Sequence, residues 1–479
     1  MSFENRSRSA FVWSLVERIG TQAINILTQI LLARILIPAD FGHFAILSAF
    51  LGLGETLVRS GLALPLIRDP NPSQLDISSI FYFSLGVALI LTILLSFLAP
   101  HIASLYDSPL LTSLVRVAAI GMLFHAFALV PGAILTKEMK FLELGVTSMT
   151  SSLLSGVVGV LMAAGGFGIW SLVATSLGMG LMNSIQLWSK CGWRPTREFS
   201  WRALHRFLSL GFILSGVGLV DAIVSSVYLG MLGRLVPATD VGLYSRAKQL
   251  PDLPVGNLYN VVSRPSISIF SRLQNDREKL CQYFRSTISV FAMIVFPLMA
   301  AVAATANALV QSLLTSKWLG AVPFIQLFCI ASAIYPLQRI VLNLLATLGE
   351  SRLVLKLELC RNGLLIASLV ASAHLGIRAI VIGQVVASLA TYVLAADLAS
   401  AATGLSFSRQ LAIVFPHAVI SAAVGFAMFT GSILALANPF ELLILQLLIG
   451  VLVYWVLAQI LRIPIIAQLK ALLNTGAVA

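Results

Sequence analysis

The sequence predicts an all-α polytopic membrane protein of about 14 transmembrane helices: two pseudo-symmetric six-helix lobes followed by two C-terminal helices. Three observations carry this prediction. The chain of 479 residues is 58% hydrophobic and only 10% charged, with a mean hydropathy of +0.95. A soluble domain uses about 25% charged residues to cover its surface, so this chain could not be wetted. Second, apolar stretches of roughly 20 residues follow one another along the whole chain, leaving connections too short for a soluble catalytic domain. Third, one turn sequence recurs at a distance that divides the first 12 stretches into two sets of six.

The stretches fall near 12–33, 41–64, 78–100, 111–134, 144–166, 167–189, 207–231, 250–271, 286–310, 322–346, 355–375, 377–399, 410–434 and 441–462. Turn chemistry separates them: Pro38-Ala39-Asp40, Asp69-Pro70-Asn71-Pro72, Gly165-Gly166-Phe167-Gly168 and Ala437-Asn438-Pro439. The eighth is the least apolar, because Pro251, Pro254, Asn257, Asn260, Arg264 and Pro265 interrupt it. The first carries Glu17, Arg18, Gln22, Asn25 and Gln29 and has no small-residue cleavage site, so it reads as a retained span rather than a signal peptide.

A formal net charge of +12 and a pI near 9.9 would suggest nucleic acid as a partner of a soluble protein. Here the positions of the charges give another reading. With the N-terminus inside, most Lys and Arg residues, including Lys137, Lys140, Lys190, Arg194, Arg197, Arg202, Arg206, Arg272, Arg277, Lys279, Arg285, Arg352 and Arg409, fall in cytoplasmic segments. Arg34, Arg234, Arg246, Lys248, Lys317 and Arg378 form the smaller outward set. The positive-inside rule places both termini in the cytoplasm, and nucleic acid is dropped as a partner. Cys191, Cys281, Cys329 and Cys360 form no CxxC pair and no zinc-type cluster, so neither a disulfide framework nor a metal site is expected.

The repeated turn is Leu32-Ala33-Arg34-Ile35-Leu36-Ile37-Pro38-Ala39-Asp40-Phe41-Gly42, which recurs as Leu232-Gly233-Arg234-Leu235-Val236-Pro237-Ala238-Thr239-Asp240-Val241-Gly242. Arg34, Asp40 and Gly42 thus match Arg234, Asp240 and Gly242 at a common offset. Each copy joins the first and second helix of a six-helix set. Six is even, so the sets share orientation as parallel repeats. The organisation expected is an N-terminal lobe at 1–189, a basic cytoplasmic linker at 190–206, a C-terminal lobe at 207–400, and two further helices with a tail at 401–479. The linker, with Trp193 and Trp201 among its basic residues, reads as a segment lying on anionic lipid.

Charged side chains at membrane depth usually face a bundle interior or a wet cavity. Ser14, Arg18, Gln22, Asn25 and Gln29 step by four, four, three and four, making one stripe on the first helix. Ser48, Gly52, Glu55 and Arg59 repeat the pattern on the second. The other half offers Asp221, Ser225 and Tyr228, then Asn257, Asn260, Arg264, Ser268 and Ser271, and finally Ser332, Tyr335, Arg339 and Asn343. Arg18, Arg59, Arg264 and Arg339 all fall in the inner half of their spans and would form a cationic mouth. A guanidinium fork suits phosphate oxygens, which points to an anionic substrate. Ion pairing competes with this use: Glu55 and Arg59 are spaced i, i+4, Glu17 adjoins Arg18, and Glu358 lies three residues from Arg361. Asp221 is either protonated, paired with an arginine, or part of an ion relay. No Walker loop, HExxH or GxSxG motif occurs, so an enzyme is not expected.

Several stretches resemble, in order, a known family. The turn at 32–42, Gly61-Leu62-Ala63-Leu64-Pro65, Lys137-Glu138-Met139-Lys140-Phe141, Gly166-Phe167-Gly168-Ile169-Trp170-Ser171, Val241-Gly242-Leu243-Tyr244-Ser245-Arg246, Arg264-Pro265-Ser266 and Leu348-Gly349-Glu350-Ser351-Arg352 are similar to bacterial polysaccharide transporters. These are the Wzx-type flippases of the multidrug/oligosaccharidyl-lipid/polysaccharide exporter superfamily. The resemblance covers nearly the whole chain. It implies a multi-pass protein of the bacterial inner membrane that moves an undecaprenyl-pyrophosphate-linked oligosaccharide outward by alternating access, for exopolysaccharide, capsule or lipopolysaccharide assembly. Polysaccharide polymerase and assembly proteins are the implied partners, alongside membrane lipids. No catalytic residue and no cofactor is implied beyond an Na⁺ or H⁺ coupling ion. On this reading Arg18, Arg59, Arg264 and Arg339 attract pyrophosphate, while Gln22, Asn25, Asn257 and Asn260 hydrogen-bond sugar hydroxyls. The alternative is an ion-coupled multidrug or metabolite antiporter of the same superfamily, with Glu17, Glu55 or Asp221 as coupling or ion-pairing acids.

Overall fold

The computed structural model describes residues 3–59, 61–431 and 438–460, with side chains for all of these except 3–12, 14–16, 210, 212–217 and 264. The residues fall into two compact units, Met1–Gly242 and Leu243–Ala479. The first contains α1 (Phe3–Ile35), α2 (Pro38–Arg59), α3 (Ala63–Arg68), α4 (Gln74–Leu105), α5 (Leu110–Ala119), α6 (Gly121–Lys137), α7 (Phe141–Ala164), α8 (Trp170–Lys190) and α9 (Trp201–Leu235). The long α10 (Ala238–Leu273) begins in its last residues. The second unit continues with α11 (Arg277–Leu313), α12 (Val322–Thr347), α13 (Ser351–Ser372), α14 (Ile377–Thr403), α15 (Phe407–Thr430) and α16 (Pro439–Ile460).

Ten helical segments among the described residues are long and apolar enough to cross a membrane. α1, α8, α10 and α13 have the length of a span but carry more polar side chains. Together these segments correspond to the stretches predicted from the sequence, and the protein is a multi-pass membrane protein. The structure departs from that reading in three local ways. The stretch expected as one helix over 111–134 is broken at Ile120 into α5 and α6. The Thr92 hydroxyl donates to the Ala119 carbonyl at 3.0 Å, serving an acceptor released by the break. The second stretch ends at Arg59, close to Gly61 in the left-handed region at φ +65°, and α3 follows separately. α10 contains Pro251, Pro254 and Pro265, as the stretch over 250–271 did, but starts earlier, at Ala238.

α7 explains the packing of the first unit. It buries Gly145, Thr147, Ser151, Ser152, Ser155, Gly156 and Gly159, and leaves Leu142, Leu153, Leu154, Val157, Val158 and Leu161 exposed. Lipid tails are as apolar as leucine, so little is gained by hiding leucines, whereas small residues allow helices to approach closely. The small face meets α1 on one side and α8 on the other. A Cβ at Gly156 would press on Thr28, and one at Gly145 on Glu17. Towards α8, Gln186 accepts from the Thr150 hydroxyl at 2.7 Å and donates to Ser151 at 3.1 Å.

α9 also packs in the first unit, against α2 and α4. Tyr106 donates to the Gly230 carbonyl at 2.9 Å, and Gly233 lies under Ile46 and Tyr106. The segment before α9 rests on the start of α4. Trp193 Nε1 donates to Gln74 at 2.8 Å, the Thr196 and Ser200 amides donate to Ser78 and Ser79 at 3.0 Å each, and Arg206 meets Asp69 at 2.7 Å. Of the two tryptophans in the basic segment, Trp193 therefore packs inward with Phe81 and Trp188, while Trp201 is 65% exposed. In the second unit α15 and α16 pack on α11 through Ile420, Val424 and Met428. Tyr454 on α16 donates to the Met293 carbonyl at 3.1 Å.

The repeated turns close alike. Leu36 N–H donates to Leu32 at 2.8 Å and Asp40 N–H to Ile37 at 3.1 Å; Val236 N–H donates to Leu232 at 3.1 Å and Asp240 N–H to Pro237 at 2.9 Å. The two turns also meet. A Cβ at Gly42 would overlap the Ala238 carbonyl oxygen, and one at Gly242 would overlap that of Pro38. The obstacle at both positions is backbone, which cannot swing aside as a side chain would. Gly42→Val or Gly242→Val is expected to lower stability by about 1–3 kcal/mol or more, seen as a lower unfolding midpoint of the detergent-solubilised protein. Gly52→Ala, with open space around its Cβ, should leave that midpoint unchanged.

Candidate functional site

The polar stripes do not stay single once the helices pack. On α1, Glu17 accepts a hydrogen bond from Ser148 at 3.0 Å and Asn25 accepts one from Ser152, so both turn towards α7. Arg18 points elsewhere and is exposed, and Gln22 is half-buried. The spacing by threes and fours correctly groups these residues on one side of α1, but the neighbour divides that side.

On α2, Glu55 and Arg59 are joined through a residue the sequence did not single out. Arg59 Nη2 lies 3.4 Å from His125 Nδ1 on α6, and His125 Nε2 lies 3.2 Å from Glu55 Oε1. With the imidazole protonated on Nε2, arginine donates to Nδ1 and the ring donates to the carboxylate. This is a short hydrogen-bonded chain with partly exposed members: the side chains of His125 and Glu55 are 25% and 34% exposed. His125 is the one titratable residue of α6 before Lys137 in its last turn, and only the packing of α2 on α6 shows its partners.

The second unit holds a denser cluster. Arg339 Nη1 pairs with Glu358 Oε1 at 2.8 Å, and Arg361 pairs with the other oxygen of Glu358 at 2.9 Å. Arg339 Nε also donates to the Tyr335 hydroxyl at 3.0 Å, with its guanidinium 5.3 Å from the ring centre. Asn343 donates to the Tyr259 hydroxyl at 2.9 Å, and Ser332 donates to Asp252 at 2.6 Å. α10, α12 and α13 thereby contribute to one polar seam. Glu358 is 5% exposed. Two guanidinium groups share its one carboxylate beside the Tyr335 ring. Tyr259 and Asp252 were not among the residues expected from the sequence, because each gains its place from a partner on another helix; Arg361 pairs with Glu358 on its own helix, as their spacing suggested.

The remaining expected residues are placed as follows. Asn257 is exposed on α10, and Asn260 donates to its own helix at Gly256, 2.8 Å away. Arg264 lies on α10, and its side chain, like that of Ser14, is outside the described ones. Asp221 is half-buried on α9, near the exposed Ser225 and the buried Tyr228. Among the turn residues, Arg234 pairs with Asp107 at 3.1 Å and Arg34 is exposed at the end of α1. Among the described residues, no group of three His, Cys, Asp or Glu side chains is placed to hold a metal ion.

Comparison with known proteins shows the fold that these helical bundles share. The lipid II flippase MurJ in an inward closed conformation matches with a TM-score of 0.76 at 15% identity, covering 94% of this chain and 98% of that one. An inward-facing multidrug resistance MATE transporter matches with a TM-score of 0.62 at 15% identity, covering 84% and 98%. In sequence, the polysaccharide biosynthesis protein family matches over residues 31–323, and the chain belongs to that family. The succinoglycan biosynthesis transport protein ExoT of Rhizobium meliloti (strain 1021) is 26% identical over 67% of this chain and 65% of its own length. The lipopolysaccharide biosynthesis protein WzxC of Escherichia coli (strain K12) is 24% identical over 69% and 68%.

The Arg339–Glu358–Arg361 cluster makes a specific demand on stability. Glu358→Ala leaves two guanidinium groups facing each other and should destabilise the protein by about 3–5 kcal/mol, measured as lost folded protein after detergent extraction. Adding Arg361→Met to Glu358→Ala should restore part of that loss.

Proposed function

We propose that this protein is a flippase that carries a pyrophosphate-linked lipid oligosaccharide across the bacterial inner membrane for exopolysaccharide, capsule or lipopolysaccharide assembly. The observation that carries the reading is a surplus of arginine on membrane-embedded helices of a member of the polysaccharide biosynthesis family. Arg18 and Arg59 stand in the first unit, and Arg339 and Arg361 crowd one carboxylate in the second. Such guanidinium groups complement phosphate oxygens and disfavour a cationic drug. The relatives named for succinoglycan and lipopolysaccharide biosynthesis support the substrate class. Both termini lie in the cytoplasm on this reading, and the chain acts as a carrier rather than an enzyme. Polymerase and assembly proteins receive the product.

Arg18 and Arg264 contact the pyrophosphate, and Gln22, Asn257 and Asn260 contact sugar hydroxyls. In a deletion strain, Arg18→Ala and Arg264→Ala should abolish surface polysaccharide while membrane abundance stays normal. Full polymer output from both would remove these arginines from the site, and drug resistance without a polysaccharide defect would replace the substrate.

Coupling is assigned to the Glu55–His125–Arg59 chain, with a proton as the ion. Vesicles carrying the purified protein should move substrate under a pH gradient and not under an Na⁺ gradient. Glu55→Gln and His125→Gln should each bring that movement to the level of empty vesicles; undiminished movement in both would exclude the chain from coupling.

A further inference from the structure

A second cationic site lies away from these seams, where the first turns of α11 and α15 face each other beside the end of α14. A cavity of about 1310 Å³ opens there. Arg277, Cys281 and Arg285 step by four along α11, and Arg409 faces them from α15; Glu278 is the one acid in the lining. Three guanidinium groups against one carboxylate leave two positive charges in excess. Arg277 is held by the Ala401 carbonyl at 3.2 Å. Arg285 and Arg409 are exposed, with neither an ion pair nor a hydrogen bond among the described residues. Ser289 forms part of the lining and is tied to His417 at 3.1 Å, so the cavity has hydroxyl as well as cationic groups. α11 and α15 both begin at this place, and the partial positive charge of helix N-termini adds to that of the arginines.

The chemistry continues down α15. Leu411, Phe415, Val419 and Phe426 are 45%, 61%, 51% and 71% exposed, at steps of four, four and seven that form one apolar stripe. It lies next to the cavity-lining Ala412 and Pro416. A cationic basin at a helix start, joined to an apolar stripe along the same helix, is complementary to an amphiphile with an anionic head. We propose that this cavity binds the phosphate headgroup of an anionic membrane phospholipid, whose acyl chains lie along α15. This goes beyond the transport reading and does not depend on it.

The full chain, purified in detergent, is offered phosphatidylglycerol or phosphatidylcholine, and retained lipid is read by native mass spectrometry. Phosphatidylglycerol should be retained preferentially, and Arg285→Gln with Arg409→Gln should weaken its binding by about tenfold or more. Arg378→Gln, at an exposed arginine outside the cavity lining, should leave binding unchanged. The unmodified protein supplies an independent reading through Cys281 in the cavity wall: phosphatidylglycerol should slow its reaction with N-ethylmaleimide several-fold. Equal retention of the two lipids, or equal protection of Cys281 by both, overturns the proposal. Protection by inorganic pyrophosphate but not by phosphatidylglycerol also overturns it, in favour of a soluble anion. These measurements do not involve flipping, so their failure would leave the transport reading standing.

Discussion

A polar group inside hydrocarbon must find a partner within the protein or reach water, and this requirement organises both units. It accounts for α7, which turns its serines and glycines inward and its leucines outward. A soluble helix of the same composition would be oriented the other way. The serines meet Glu17 and Asn25 on α1 and Gln186 on α8, so the close approach of three helices is also how their polar side chains are satisfied. The same requirement places Glu358 between Arg339 and Arg361, and His125 between Glu55 and Arg59.

The acids on these helices are turned towards neighbours or shared. Glu17 and Asn25 are used up by α7, while Arg18, beside them in sequence, remains exposed. Glu358 serves two arginines. A guanidinium restrained by a carboxylate and a tyrosine has lost much of its rotational freedom before any ligand arrives, which lowers the entropy lost when a phosphate is bound.

The spans were legible because hydropathy is summed over some 20 residues, so that no single side chain decides the outcome. The break at Ile120 was not, since it depends on a threonine from α4 reaching the Ala119 carbonyl. The start of α10 was set at 250 rather than at Ala238 because Thr239 to Gln249 are too polar to add to a hydropathy window. Helical spacing grouped Arg18, Asn25, Arg59 and Arg339 with other polar residues of their own helices. It could not supply the partner across the gap: His125, Tyr259 and Asp252 become meaningful only when another helix is set beside them. Arg361 was visible as a partner of Glu358, but that Glu358 also takes Arg339 is a fact of tertiary packing.

The contact of Gly42 with Ala238, and of Gly242 with Pro38, bears on the history of the chain as well as its packing. In a duplicated sequence the copies ordinarily drift apart independently, because a change in one leaves the other untouched. Here each turn is part of the surface against which the other is moulded. A larger residue in either copy would have to be answered by a displaced backbone in its twin, so the two turns are bound to diverge together or not at all. The similarity of the two turns is thus greatest where they lean on one another.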